Sequence, residues 1–394
     1  MTYVRARTLY TGTSVLKDAY LLFDGTLVAG VSRTPKGEPA GEYPVVTPAF
    51  VDPHCHIGME RSGEPDKEGE ANDQMDSLLF LADALDSVQM DDTAFRDSVE
   101  MGVLYSCVLP GSGNIVAGRS AVVRNFAADT TEALVARAGI KAALGHNPRS
   151  THEWGRTPRP YTRMGALSLL RKRLAEVRQK IEEAKRVKKS GSSAKGEVKP
   201  LTPEEEVVRA LLEGRERLRT HVHKIDDIAA LLRLKEEFGL RVTVEHACDV
   251  HDGRVFGVLK EQGVPVVFGP MDAFAYKTEL KHENWRNLRH LIDSGVSYGL
   301  MTDHPVIPQR NLSVTLRWFL RCGLNRQQAI EVITRRNAEI LGIHGFLGTL
   351  EKGKWASFVG WNGDPFDLGS WPVRVWGEGR LLHDEKSARP KGGS

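Results

Sequence analysis

Short apolar runs and longer amphipathic stretches take turns along most of this chain, and each run marks an expected element. Alternation in YVRARTLYTG and AYLLFDGTLVAGV, broken by Gly12, Gly25 and Gly30, predicts short strands within residues 1–44. The run AFVDPHCH, bounded by Pro48 and Gly58, predicts a buried strand. VLYSCVLPG, a less regular SAVVRNF, IKAALGHNP, LRTHVH, RVTVEHA, VPVVFGP and VSYGLMTDHP follow as further strands. Helical patterns lie between several of them: residues 91–101, KIDDIAALLRLKEEFG, VFGVLKEQG and WRNLRHLIDSG. Eight strands alternating with helices predict an α/β chain, a (β/α)8 TIM-like barrel whose active site lies at the C-terminal ends of the strands.

Two more helical patterns, SVTLRWFLRCG and NRQQAIEVITRRNAEILG, precede strand-like pieces in GTLEKGKWASFVGWN and VRVWGEGRLLHD. These pieces and the N-terminal strands predict a small β-sandwich domain built from both chain termini. The expected organisation is therefore residues 1–45 and 346–394 in the sandwich and 46–345 in the barrel. A helical, basic insertion is expected at 165–219, in two parts, LSLLRKRLAEVRQKIEEAKRVKK and TPEEEVVRALLEGRERL, around the Ser/Gly/Lys joint SGSSAKGEVKP. Thr202 and Glu205 have capping-box spacing, with Pro203 at the first helical position.

The hydrophobic fraction of 41% is that of a globular chain. No apolar run approaches the ~20 residues that span a bilayer, and MTYVRARTLY lacks a signal-peptide core, so a cytoplasmic protein without membrane contact is expected. Four cysteines without a C-x-x-C pair argue against a disulfide framework and a zinc ribbon. The net charge of +3 is uneven: residues 171–199 hold eleven Lys or Arg against four Glu, which leaves the remainder at −4. Without interleaved aromatics this segment reads as a solvated helix and linker, with nucleic-acid binding as its alternative. A small-molecule substrate is the expected partner, no nucleic acid is expected, and a homo-oligomer is left open.

In an extended strand the side-chain period of two sends His54 and His56 to one face and Cys55 to the other, so two imidazoles converge. On a helix they would stand about 200° apart. A metal-ligand pair or a surface turn both fit H-x-H taken alone. Other strand ends add His221 and His223, His246 and Asp303, and a metal site at the barrel mouth is the reading that unites them. His146 closes the fourth strand in the same manner. The long polar segment 61–76 after His56 is expected to be a substrate-facing lid. LPGSGN, with Gly111 and Gly113, is a tight turn and a poor match to a phosphate cradle.

DPHCH, THVH, EHA and TDHP together resemble the amidohydrolase superfamily, particularly its imidazolonepropionase-related group, and LGTLEKGKWASFVGWNGDPFD is similar to that family's C-terminal segment. The resemblance implies that His54, His56, His221, His246 and Asp303 hold one or two divalent metals. It further implies a bridging carboxylated lysine or glutamate from strand four. His146 stands where close relatives have glutamate, which points to a mononuclear centre or an altered second site with His146 as ligand. Trp355, Ser357 and Asn337 also depart from the pattern and bear on packing.

Mainly imidazole ligands imply Zn²⁺, with Fe or Mn as alternatives. Asp303 would take the proton of an attacking water and return it to the leaving nitrogen. His223 is a candidate for oxyanion stabilisation, and His304, one residue off Asp303, for orienting a ligand unless it faces away. Arg163 could meet a substrate carboxylate or lie on the surface, and Asp226 and Asp227 compensate a helix dipole. The expected activity is hydrolysis of a non-peptide or dipeptide C–N bond in a cyclic amide, an amidine or an acyl amino acid. A deaminase using the same site and a catalytically silent relative are the alternatives.

Overall fold

The computed structural model describes residues 1–34, 37–149, 159–190, 199–274 and 277–388. Most of the Ser/Gly/Lys joint lies outside them. Four N-terminal strands come first: β1 (Thr2–Tyr10), β2 (Val15–Asp24), β3 (Leu27–Ser32) and β4 (Glu42–Pro48). Eight strands then build the central sheet: β5 (Phe50–Cys55), β6 (Val103–Val108), β7 (Val116–Arg124), β8 (Leu134–Ala143), β9 (Arg217–Val222), β10 (Arg241–His246), β11 (Val266–Phe268) and β12 (Tyr298–Leu300). The chain ends in β13 (Phe358–Trp361), β14 (Pro372–Gly377) and β15 (Arg380–Asp384).

The central sheet runs β5 to β12 in sequence order and curls until its first and last strands meet. Seven strands of it are parallel to one another, and β7 is antiparallel to both of its neighbours. This corrects the expected unbroken βα alternation. Only residues 109–115 join β6 to β7, and only 125–133 join β7 to β8. A parallel crossover needs roughly a dozen residues or more, so these short links can only return the chain antiparallel.

Asn337 seals the seam between β5 and β12. Its side-chain amide donates to Val51 O at 2.7 Å and Leu300 O at 2.9 Å, and its oxygen accepts from Leu300 N at 3.1 Å. A π turn over Val332–Arg336 precedes it in the helix. Gly299 is required opposite, because a Cβ there would overlap the Asn337 amide oxygen. Nearer the strand ends, Asp303 N donates to His54 O at 3.1 Å and His56 N to His304 O at 2.8 Å. Asn337→Ala leaves two carbonyls and an amide buried without partners, and is expected to destabilise the chain by about 2–4 kcal/mol. The midpoint of urea unfolding reports this, and an unchanged midpoint would show that the seam closes without Asn337.

The termini pair as one seven-stranded sheet, in the order β15-β14-β13-β4-β1-β2-β3, not as the two separate sheets a sandwich implies. The sheet curls strongly, which brings Phe23 of β2 against Phe358 of β13 and Trp376 of β14, both with ring centroids 5.4 Å away. One curled sheet can thereby bury its own apolar face, and a second sheet is not needed to cover it.

The insertion forms helices Arg163–Ser190 and Pro203–Leu212, the second with the expected capping box at Thr202 and Glu205. β9 begins at Arg217, slightly before the expected end of the insertion at 219. Ala166, Leu170, Leu174 and Val177 form the buried stripe of the long helix. Its basic side chains meet acids on adjacent elements, Arg171 with Glu237 at 2.8 Å and Arg173 with Glu204 at 3.1 Å. No described helix is long and apolar enough to cross a membrane.

Candidate metal centre

His54 lies in β5 and His56 one step past it, and alternation brings both rings to the barrel mouth with centroids 5.6 Å apart. Asp303 lies between them, its Oδ1 3.5 Å from His54 Nε2 and 3.3 Å from His56 Nε2. His221 in β9 and His223 just beyond it share a face in the same way, with ring centroids 4.9 Å apart. His246 ends β10 at a φ of +81°, and Asp303 has a φ of +54°. A left-handed conformation is costly for residues other than glycine, and here it swings both side chains into the mouth.

The donors form two overlapping trios, His221/His223/His246 and His54/His246/Asp303, and within each trio the ligand atoms lie within 4.8 Å of one another. His246 belongs to both. The Nε2 atoms of His221 and His246 and the Nδ1 of His223 are buried without a hydrogen-bond partner. Buried imidazole nitrogens left open in this way fit a divalent cation, which prefers the neutral ring.

Outer contacts set the tautomers. His54 Nδ1 faces Glu245 Oε2 at 2.9 Å, His56 Nδ1 donates to Leu109 O at 2.8 Å and His246 Nδ1 to Gly269 O at 2.9 Å. Each bond leaves Nε2 for the centre. Glu245 is fully buried and also accepts from Arg219 Nη2 at 3.1 Å and from Thr243 Oγ1, while Arg219 reaches Pro53 O at 2.7 Å. Asp52 accepts from the Thr302 hydroxyl and from Gln309 Nε2, tying the first strand to the segment after the last.

Strand four contributes Lys141, which the sequence reading missed. Its Nζ is fully buried, 3.2 Å from His54 Nε2. The signal was a lone lysine inside the apolar run IKAAL, and in the sheet it pairs directly with Arg219 of β9. His146, expected as the strand-four ligand, belongs to neither trio: its Nδ1 is 3.2 Å from Arg149 Nη2, and its backbone N–H donates to Glu279 at 2.9 Å. It lies beyond the end of β8, after the strand has turned at Gly145, and so no longer follows the barrel-facing phase.

Two further expectations are corrected. Arg163 pairs with Asp227 at 2.8 Å and does not line the cavity, because both sit at helix starts on the outer layer. His304 faces away from the trios, as the alternation rule allowed: its Nδ1 accepts from Gln309 N at 3.2 Å. The cavity above the centre holds about 200 Å³, and its lining includes His56, His223, Asp303, Lys277, Glu283 and Phe274. Ala71 and Asn72 of the expected lid also line it, with Glu60 just before that segment. Asn72 accepts from Gly113 N at 2.7 Å, and a Cβ on Gly111 would overlap its side chain, so the LPGSGN turn serves as the seat of that loop.

Burial pushes the imidazoles down. It lowers His54 and His246 well below the ordinary range, helped at His54 by the Lys141 charge and at His246 by His221. Burial also lowers His221, takes His223 to about 3 and His304 to about 4. Lys141 is lowered by burial to about 8. Burial pushes Asp303 up, but the hydrogen bond from His56 and the charges of His56, His54 and Lys141 outweigh it and hold the carboxyl below its usual range.

These shifts have a direction in stability. Below pH ~6.5 the unfolded chain protonates histidines that the metal-free fold keeps neutral, so stability falls as pH falls from there toward the folded values. Each such ring contributes up to about 1.4 kcal/mol per pH unit within that window. Asp52 opposes the trend, since burial raises it to about 6 and favours the fold as pH drops from 6 toward 4. Glu283, raised by burial and the Asp249 charge to about 7, acts in the same direction as Asp52, and the five lowered rings outweigh these carboxyls. The melting temperature of the metal-free chain is expected to drop steadily from pH 7 to pH 5, and a flat profile there would contradict the neutral-imidazole assignment.

The curled eight-stranded sheet and its mouth of imidazoles, carboxylate and buried lysine define a barrel protein with a candidate metal centre at the strand ends. The chain belongs to the amidohydrolase family, whose model matches residues 45–382. It is similar to a solved amidohydrolase from Thermotoga maritima MSB8, with 29% identity over 98% of this chain and 100% of that one and a TM-score of 0.89. The amidohydrolase tasK of Hapsidospora irregularis is 25% identical over 360 residues, 86% of this chain and 36% of that protein. The chain thus spans about a third of that curated relative's length. A prolidase solved with N-methylphosphonate-L-proline shares the fold at 18% identity, over 97% of this chain and 99% of that one, with a TM-score of 0.62.

Proposed function

We propose that this chain is a metal-dependent amidohydrolase that cleaves a non-peptide or dipeptide C–N bond of a small substrate. The observation that carries the reading is the pair of donor trios sharing His246, with open, buried imidazole nitrogens aimed at common points. His54, His56, His221, His223, His246 and Asp303 would hold Zn²⁺, the ion their donor set suits best. When bound, such an ion supplies Lewis acidity and lowers the pKa of nearby water. His223 is a ligand in this reading, not the oxyanion donor expected from alternation alone.

Lys141 takes the strand-four role that the resemblance implies. A lysine lowered to about 8 exposes more free amine, and the amine adds CO2 to give a carbamate and a proton. The carbamate would supply the bridging carboxylate that His146 cannot, which favours two ions over one. Asp303 accepts the proton of the attacking water and passes it to the leaving nitrogen. Lys277, which lines the cavity and lies 3.8 Å from Glu279 Oε1, brings a cationic group to the substrate site that would suit a substrate carboxylate, as in an N-acyl amino acid or a dipeptide.

The basic segment is read as structural, supported by its ion pairs with neighbouring helices, so the proposed partner is a small molecule and not nucleic acid. The test combines metal analysis of the purified chain with a turnover screen. N-acyl amino acids, dipeptides and cyclic amides are followed by product release, and aminopurines by ammonia. Lys141→Ala is expected to lower the metal bound at the barrel mouth from two ions toward one. A chain that takes up no Zn²⁺ and turns over none of these would favour the silent alternative.

A further inference from the structure

Behind one wall of the cavity a second group of metal-type donors converges, none of them in the trios above. Asp249, His251 and His282 each offer one ligand atom, and these three atoms lie within 4.8 Å of one another. Asp249 and His251 follow β10, before the helix Gly253–Glu261, and His282 comes from the segment between β11 and β12. The donors therefore join two loops on the strand-end face of the barrel.

Asp249 and His282 share a long hydrogen bond, and its length also suits two ligands of one cation. Asp249 Oδ2 and His282 Nδ1 are 3.3 Å apart. A charged hydrogen bond would be about 2.7–2.9 Å. Two ligands on one tetrahedral ion with bonds of about 2.0–2.1 Å stand about 3.3 Å apart. The two rings lie face to face at an angle, with centroids 4.2 Å apart. Asp249 Oδ1 accepts from His282 N, and His251 Nδ1 lies 2.9 Å from Asp249 O. Asn287 Nδ2 donates to His282 O at 2.8 Å and to Cys248 O at 3.3 Å, fixing the two loops to each other.

Charge points the same way, and independently. The Asp249 carboxylate is buried, and among the described residues no Lys or Arg lies within 4.0 Å of it. Glu283, next to His282, has a buried Oε2 without a hydrogen-bond partner. Two carboxyl groups in a desolvated corner without a basic side chain are costly, and a divalent cation removes that cost.

We propose that Asp249, His251 and His282 form a second divalent-metal site, of the zinc class, separate from the centre at the barrel mouth. The ion clips the segment that carries Lys277 and Glu283 onto the loop after β10, and so fixes one wall of the substrate cavity. The test titrates the metal-free full chain with Zn²⁺ and counts bound zinc per chain after desalting. His251→Gln/His282→Gln alters two exposed side chains, so the fold is expected to survive, and the variant should hold one zinc fewer than wild type. Asp249→Asn should lose the same equivalent. His221→Asn/His246→Asn should lose zinc from the mouth while keeping this equivalent, which separates the two sites. Equal zinc in wild type and in His251→Gln/His282→Gln overturns the proposal, as does a wild-type chain that binds none.

Discussion

Asp303→Asn is expected to cut turnover of whichever substrate the screen identifies by about 10²–10⁴-fold, the range for losing a positioned general base. The substitution keeps the side chain's shape and removes its charge. His54 Nε2 and His56 Nε2, 3.5 and 3.3 Å from Asp303 Oδ1, would then face a neutral amide. Asp303 also belongs to the trio with His54 and His246, so weaker metal binding is expected beside the loss of the base. The two effects separate when turnover is measured at zinc concentrations that restore full occupancy. Activity within about threefold of wild type at full occupancy would remove Asp303 from the proton-transfer role, against the 10²-fold minimum.

Arg219→Met is expected to be the most destabilising of the single changes considered. Arg219 is 1% exposed and is the guanidinium paired with the fully buried Glu245. Breaking a buried pair by removing one partner typically costs about 3–5 kcal/mol, because the remaining charge has neither water nor counter-ion. Lys141 is the nearby cation that could answer Glu245, but it already faces His54. Arg219→Met/Glu245→Gln should recover part of the loss, since it removes both charges. Denaturant midpoints of wild type, single and double variants measure the coupling. If the double variant is no more stable than the single, the ion pair is not the source of the loss.

The same buried pair shows where reading the chain alone runs short. Glu245 was legible only as the residue before a histidine, and Arg219 as a basic residue two before another. Register places Glu245 beside His221 and Lys141 beside Arg219, and this brings three charged side chains from different strands into one interior layer. Nothing local to any one strand specifies those neighbours. The third strand was more legible than its reading: the short link between LPG and SAVVRNF already excluded a parallel crossover before it.

Eight strands, their order and the faces of His54, His56, His221 and His223 follow from the sequence by itself, because apolar runs and a side-chain period of two are local properties of a strand. The tertiary structure decided the rest. It set Lys141 beside His54 and His146 beside Arg149, paired Arg163 with Asp227, turned His304 aside and curled the two termini into a single sheet. It also holds His246 and Asp303 in left-handed backbone, which alternation cannot anticipate. Those outcomes depend on what faces each residue across the barrel, and a contact between strands distant in sequence leaves no periodic trace in either of them.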